Sequence, residues 1–204
     1  MRSPSDWIRR LHSYVGLYFL ASVWLFSFSG LVLNHGSWTF AQFWPQRKQT
    51  EYERTVHATA GNDTERAQAV MSQLGIKGEV EWVTPDQMPE HLRFRVVRPG
   101  RNYEVDADFG RGAATVAETS VNAWGVLNGL HHLNGVHAGD KRNTRDWFWT
   151  GVWVFGMDAL AVGLISIALS GIYIWLRTRR RRVMGLIALV AGIAACFLLL
   201  FPPA

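Results

Sequence analysis

The chain has 204 residues, of which 49% are hydrophobic, and it carries a formal net charge of +5 at pH 7. The basic excess lies in two short stretches, residues 1–10 and 177–182, whereas the long segment 36–146 holds 13 basic and 14 acidic residues. Because a nucleic-acid-binding protein carries its positive charge on a folded domain, this distribution argues against nucleic acid as a partner. The single cysteine, Cys196, excludes disulfides and cysteine-bound iron–sulfur clusters within this chain.

The hydrophobic residues gather in three segments that predict transmembrane helices in contact with membrane lipid. Residues 11–35 and 183–201 contain no Asp, Glu, Lys or Arg, and residues 147–176 contain only Asp158. About 20 mostly apolar residues are enough for a helix to cross the hydrocarbon core of a bilayer. We therefore expect three membrane-crossing helices at these positions.

The arginines beside these segments predict their orientation. Lys and Arg concentrate in the cytoplasmic flanks of membrane helices, so residues 1–10 should form a cytoplasmic arm and residues 177–182 a cytoplasmic linker. Residues 36–146 and the tail, residues 202–204, would then lie on the periplasmic side of a bacterial inner membrane. The first apolar run is longer than the roughly 7–15 residues of a signal-peptide core, which favours a retained anchor.

Residues 36–120 predict a small α+β module outside the membrane. Asn62-Asp63-Thr64-Glu65 is typical of a helix start, apolar residues follow at helical spacing, and Gly75 is typical of a helix end. Alternating apolar and polar residues then predict antiparallel strands. The expected strands are residues 79–83, 92–97, 103–107 and 114–117.

Residues 121–146 predict a His-rich segment at the membrane surface. The first part, residues 121–139, has no charge but many Asn, Gly and His residues, so it is too polar for lipid contact along its whole length. We interpret it as an amphipathic helix that lies on, or dips into, the outer face of the membrane.

Several short motifs occur in an order that resembles a known family. They are His12 and Gly16 in the first helix, Leu130-His131-His132-Leu133 before the second, Leu169-Ser170-Gly171 near its end, and Asn102-Tyr103-Glu104-Val105-Asp106 in the module. This arrangement resembles the PepSY domain with its associated transmembrane helices. The resemblance implies a membrane α-helical fold with three transmembrane helices and a small extracytoplasmic α+β PepSY-like module.

The same resemblance implies a function. Some larger relatives are inner-membrane haem proteins that reduce ferric siderophores. By resemblance, this chain would be a b-type haem protein that transfers electrons through the membrane to a periplasmic ferric chelate, and hence an oxidoreductase. It is shorter than those reductases, with three helices and one module, so the number of haems stays open.

Histidines near the membrane are the candidate axial ligands of haem iron, because neutral imidazole is a common haem ligand. His12 and His35 are 23 residues apart, which is about 34 Å along a helix, so they cannot bind the same iron. At the outer boundary His35 is expected to pair with His131, with His137 as the alternative. The side chain of His132 points about 100° away from that of its neighbour on a helix. His12 is left for an inner site.

Three further residues are candidates for contact with a cofactor. Gly16 and Gly30 fall on the same face of the first helix as His12, and a flat face of small residues would admit a porphyrin. Close packing between helices is the alternative interpretation of these glycines. Asp158 lies within the second apolar segment, where an acidic residue is usually functional or paired.

Two other classes of function stay open. The module would bind a periplasmic protein partner if the chain were a non-catalytic interaction or assembly factor. Alternatively, His131, His132 and His137 would hold a metal ion, since imidazole also binds copper, zinc and iron, with Asp140 as the nearby carboxylate. The glycines of the second apolar segment also permit a homodimer.

Overall fold

The structure is a computed structural model that describes residues 4–85, 90–133, 147–178 and 182–201. Within these ranges the chain forms five α-helices, five strands and one 3-10 turn. In chain order they are α1 Pro4–Asn34, the 3-10 turn Thr39–Ala41, β1 Lys48–Thr55, α2 Asp63–Leu74, β2 Glu79–Pro85, β3 His91–Arg98, β4 Arg101–Asp108, β5 Ala113–Ser120, α3 Ala123–His132, α4 Phe148–Arg177 and α5 Arg182–Leu200.

The five strands form one antiparallel sheet in the order β1-β5-β4-β3-β2, and α2 packs on it against β2 and β3. Successive side chains of a strand point to opposite faces, so one face of the sheet is apolar and faces α2. Burying these side chains stabilises the module by roughly 25 cal/mol per Å² of apolar surface. The core residues are Leu92, Phe94, Val96, Val105 and Val116 of the sheet and Ala67, Val70 and Met71 of α2.

Both ends of α2 follow from local sequence. The side chain of Asn62 accepts the backbone N–H groups of Thr64 and Glu65, and the carboxylate of Glu65 accepts the N–H of Asn62, which completes a capping box. At the other end Gly75 takes a left-handed conformation with φ of 68°, which costs glycine little because it has no Cβ. The helix predicted after Asn62 is therefore present with the predicted limits.

Strand β1 is the main element that the sequence analysis did not predict. It pairs with β5 from Lys48, opposite Ser120, to Thr55, opposite Ala113, and it forms one edge of the sheet. Its side chains are exposed except for the half-buried Tyr52. Because an edge strand that faces water needs few apolar residues, the alternation that marks β3 and β4 is weak here. The module thus begins with a strand rather than with α2.

Three helices, α1, α4 and α5, are long and apolar enough to cross a membrane, which supports the predicted membrane location. Helix α1 begins at Pro4 and so extends through part of the predicted cytoplasmic arm. Proline fits the first turn of a helix because its missing N–H has no partner there, and Asp6 is favourable near the positive end of the helix dipole. The tail, residues 202–204, lies outside the described residues, as do residues 179–181 of the Arg-rich linker.

The chain divides into two compact units. The helical unit comprises Met1–Trp24 and Asp158–Ala204, and the sheet-containing unit comprises Leu25–Met157. Helix α1 contributes to both, because its first part belongs to the helical unit and its last part to the sheet-containing unit.

Within the helical unit, α1 and α4 run antiparallel and approach closely at a glycine. A Cβ atom on Gly163 would collide with the ring of Phe19, so the absence of a side chain at Gly163 permits the contact. A Cβ on Gly185 of α5 would similarly collide with the indole of Trp175. Apart from this point, α5 presents its side chains outward, and none of its residues is buried.

The predicted segment 121–146 is described only in its first part. Helix α3 begins after Asn122, whose side chain accepts the backbone N–H of Gly125 at 3.2 Å. The amide nitrogen of the same side chain donates to the backbone carbonyl of Gln42 at 3.1 Å, so Asn122 ties the start of α3 to the segment after α1. Residues 134–146 lie outside the described residues.

Candidate functional site

His12 is the predicted ligand with the best defined surroundings. It is half-buried on α1, and its Nδ1 lies 2.8 Å from the hydroxyl oxygen of Ser170 on α4. That hydroxyl donates to the carbonyl oxygen of Ser166 at 2.6 Å. A hydroxyl has one proton, and two oxygens at this distance without a proton between them would repel each other. The imidazole is therefore the donor, through Nδ1–H.

This assignment leaves the other nitrogen of His12 without a proton when the ring is neutral, since a neutral imidazole carries one N–H and one acceptor nitrogen. The free lone pair is on Nε2. One turn further along the same face of α1, a Cβ on Gly16 would meet no atom within 4 Å. A Cβ on Gly171 would lie 3.7 Å from Cε1 of His12. The imidazole is thus held against α4 by Ser170, and no described atom crowds Gly16 one turn away.

His131 of α3 makes a similar bond with the opposite nitrogen. Its Nε2 lies 2.7 Å from the hydroxyl oxygen of Ser29, and that hydroxyl donates to the carbonyl of Leu25 at 2.7 Å. The same proton count makes Nε2–H the donor, so the free lone pair of neutral His131 is on Nδ1. The ring also packs edge-on against Phe26, with centroids 5.0 Å apart.

His35 follows the end of α1 and is exposed. Its Nδ1 lies 2.9 Å from the carbonyl oxygen of Leu31, which can only accept, so Nδ1–H donates and Nε2 is free. The ring stacks on Trp38 with centroids 4.4 Å apart. His12 and His35 therefore present the same nitrogen, whereas His131 presents the other one.

The predicted pairing of His35 with His131 stays a prediction. His35 contacts Leu31 and Trp38, whereas His131 contacts the Phe26–Ser29 turn of α1, so hydrogen bonds and ring contacts hold the two at different places. The alternative ligand His137 lies outside the described residues, and so does the side chain of His132.

The metal-site alternative rests mostly on residues outside the described ranges. Within the described ranges, no group of three or more His, Cys, Asp or Glu residues could hold a metal ion. The proposed cluster depends on His132, His137 and Asp140, whose side chains fall outside those ranges.

The remaining predicted site residues have open surroundings. A Cβ on Gly30 would meet no atom within 4 Å, as at Gly16, so neither glycine is used for close helix packing within the described part of the chain. Asp158 is exposed on α4. Among the described residues no hydrogen bond or ion pair involves its carboxylate, and a membrane-buried acid without a partner is costly.

Two serines that form hydrogen bonds with candidate histidine ligands were not predicted from the sequence. Ser170 stood in a motif without a role, and Ser29, which is only 2% exposed, was not singled out. A serine inside an apolar helix is a usable signal, because its hydroxyl must bond to the helix backbone or to a neighbouring side chain. Neither partner histidine is near in sequence, so the pairs themselves could not be predicted.

The sheet-containing unit has a buried acid that the sequence analysis also did not identify. Glu79 is fully buried, and its carboxylate accepts the backbone N–H of Trp147 at 3.1 Å. Trp147 directly precedes α4, where the helix dipole favours negative charge. The start of β2 is thereby bonded to the start of α4.

The family model described as PepSY_TM-like matches residues 6–202. The chain belongs to this family. The match covers all but the first two residues of α1, and it includes the sheet, α4 and α5. It confirms the resemblance read from the motifs. No curated protein and no solved structure gives a significant match.

Proposed function

We propose that the protein is a b-type haem electron-transfer protein of the bacterial inner membrane. The observation that carries the proposal is the state of His12, whose Nδ1–H is bonded to Ser170 so that Nε2 keeps its lone pair, while one helical turn along, a Cβ on Gly16 would meet no described atom within 4 Å. A metal-binding histidine usually donates its other ring N–H to a fixed acceptor. These residues therefore fit a haem ligand, and haem supplies an iron that takes up and releases one electron.

The candidate ligands differ in how they would bind. His12 and His35 would each use Nε2, at opposite ends of α1, and His131 would use Nδ1. His137 and His132 remain proposed as further ligands at the outer end. Gly16 and Gly30 would leave room for the flat ring, in keeping with the empty space beside both.

The direction of transfer follows from the proposed orientation. The arginines of the N-terminal arm and of the linker after α4 favour a cytoplasmic location for both, so the sheet-containing unit would be periplasmic. Electrons would pass from a reductant on the cytoplasmic side or in the membrane outward to an acceptor there, for which a ferric chelate, reduced from Fe(III) to Fe(II) by one electron, is the proposed class. In this role the chain would be a ferric-chelate reductase.

The test is an absorption spectrum of the protein purified in detergent from cells supplied with ample haem. We expect a Soret band in the oxidised protein and a sharpened α band after reduction with dithionite. His12→Ala should reduce the haem content, because it removes a ligand. His57→Ala is the matched control, since His57 is exposed in the sheet-containing unit and, in the part of the chain that the structure describes, forms hydrogen bonds through its backbone only.

The outcomes are distinct. A colourless wild-type preparation overturns the proposal. A coloured protein whose haem content is the same in His12→Ala and His57→Ala keeps the haem but removes His12 from the ligand set. The corresponding variants of His35 and His131 then identify the ligands that remain.

A second candidate function is favoured by strand β1. It is eight residues long, it is hydrogen-bonded to β5 on one side, and none of the described strands pairs with its other edge. An extended segment of another protein can add to such an edge, so the chain would act as a membrane-anchored interaction or assembly factor. A colourless protein that cross-links through β1 to one specific periplasmic protein would support this function instead.

A further inference from the structure

We infer that Ser170 is a positioning residue that fixes His12 in the tautomer with a free Nε2. The inference deepens the proposed function, because it names the residue that prepares the ligand. The tautomer itself, however, is a property of the protein without haem and is tested there.

The direction of the Ser170 hydroxyl is set by its own helix. The hydroxyl lies 2.6 Å from the carbonyl oxygen of Ser166 and 3.1 Å from that of Ile167, four and three residues earlier in α4. With its proton committed to these carbonyls, the oxygen presents only lone pairs to His12, 2.8 Å away. A neutral imidazole can complete this bond only with Nδ1–H.

The surroundings strengthen this preference. Hydrogen bonds in series polarise one another, and they are stronger in a low-dielectric environment than in water. The series runs from Nδ1–H of His12 through the Ser170 hydroxyl to the Ser166 carbonyl. The opposite tautomer would leave two acceptor atoms, the unprotonated Nδ1 of His12 and the Ser170 oxygen, facing each other without a proton between them, which is unfavourable.

A second serine–histidine bond provides an internal comparison. Ser29 uses its proton in the same way, on the carbonyl of Leu25, but it faces Nε2 of His131 instead of Nδ1. Neutral His131 therefore carries its proton on Nε2, which is the opposite tautomer to that of His12. One protein thus contains both arrangements, and one spectrum can compare them.

The first measurement uses nitrogen NMR of the haem-free protein in detergent micelles, with ¹⁵N-labelled histidine, at a pH where the imidazoles are neutral. We expect His12 to show a protonated Nδ1 and an unprotonated Nε2, and His131 to show the reverse. His12→Gln and His131→Gln assign the signals. In Ser170→Ala the His12 signals should move toward a mixture of tautomers, and Ser170→Thr, which keeps a hydroxyl, should restore them.

Ser166→Ala is the matched control. It removes a hydroxyl one turn earlier, which donates to the carbonyl of Val162, but it keeps the Ser166 carbonyl that orients Ser170. Its His12 signals should equal those of the wild type. Protonation of Nε2 in wild-type His12, or identical His12 signals in Ser170→Ala and the wild type, would overturn the inference.

The second measurement tests the consequence for haem. Loss of an outer hydrogen-bond partner of a metal ligand typically lowers the affinity for the metal by about 10–100-fold. The Ser170→Ala variant should therefore bind haem about 10–100-fold more weakly than the Ser166→Ala variant. The reduction potential of its bound haem should also differ from that of the Ser166→Ala variant. Equal affinity and equal potential in the two variants would refute the positioning role. A wild-type protein that has the expected tautomer but binds no haem would overturn the proposed function and leave the assignment of Ser170 standing.

Discussion

At the residue scale, the informative groups are polar side chains whose partners lie far away in the sequence. Ser29 and His131 are 102 residues apart, and Glu79 and Trp147 are 68 residues apart. Each bond joins the element on which the residue stands to another, so a single substitution should change how two elements are held. The bonds to histidine bear on chemistry, whereas the bond of Glu79 bears on stability.

Glu79→Ala should destabilise the sheet-containing unit. The substitution leaves the half-buried N–H of Trp147 without its acceptor, which costs about 1–3 kcal/mol for a buried group, and it also leaves a cavity. We expect a lower midpoint of thermal unfolding in detergent, followed by circular dichroism. Glu79→Gln keeps an acceptor oxygen and should lose less.

Glu51→Ala is the control for this comparison, since Glu51 is exposed on β1 and surface substitutions usually change stability by less than about 0.5 kcal/mol. Equal midpoints for Glu79→Ala and Glu51→Ala would show that the buried carboxylate does not hold β2 to α4.

At the scale of elements, glycines have two different uses in the helices. Gly163 permits the contact with Phe19, where any side chain would collide, whereas Gly156 has no atom within 4 Å of its would-be Cβ. The sequence alone does not distinguish Gly163 from Gly156, because both are glycines within the same apolar helix, α4. The two therefore form a matched pair.

Gly163→Ala should weaken the contact between α1 and α4 in the helical unit. The added methyl must displace the Phe19 ring, and such overpacking typically costs about 1–3 kcal/mol. Gly156→Ala adds the same methyl without a clash and gains helix propensity. We expect a lower thermal midpoint for Gly163→Ala only; a lower midpoint for both variants, by the same amount, would contradict the packing role of Gly163.

The elements that the sequence predicted are those with strong local signals. Helix α2 has its caps, β3 and β4 have their alternation, and the three long helices have their uncharged lengths. Strand β1 was missed, because only Tyr52 among its side chains is even half-buried, and its pairing with β5 is a tertiary property. At the candidate site, the histidines stay a prediction from residue type, and the nitrogens that His12 and His131 present depend on Ser170 and Ser29, which only the fold brings near.

At the scale of the whole molecule, the charge distribution predicts which side of the membrane each part occupies. Arg9 and Arg10 lie near the start of α1, and further arginines follow α4, and such residues are enriched on the cytoplasmic side of membrane helices. The predicted orientation puts Thr59, in the sheet-containing unit, outside the cytoplasm, and Thr178, after α4, inside it.

Labelling of single cysteines in spheroplasts checks this orientation. In a Cys196→Ser background, Thr59→Cys should react with a membrane-impermeant maleimide in intact spheroplasts, and Thr178→Cys only after lysis. Both threonines are exposed, so accessibility within the protein does not separate them. Reaction of Thr178→Cys before lysis, with protection of Thr59→Cys, would reverse the orientation.

The side chains of α5 face outward, so packing within the chain constrains few of its residue types. None of its residues is buried, and a Cβ on Gly185 near its start would collide with the indole of Trp175. Because the hydrocarbon chains of lipids are liquid, they can adapt to the surface of an apolar helix whatever the order of its residues. After Gly185, then, the total hydropathy of α5 should matter more than the order of its apolar residues. Exchanging these residues with one another should change the stability of the protein little.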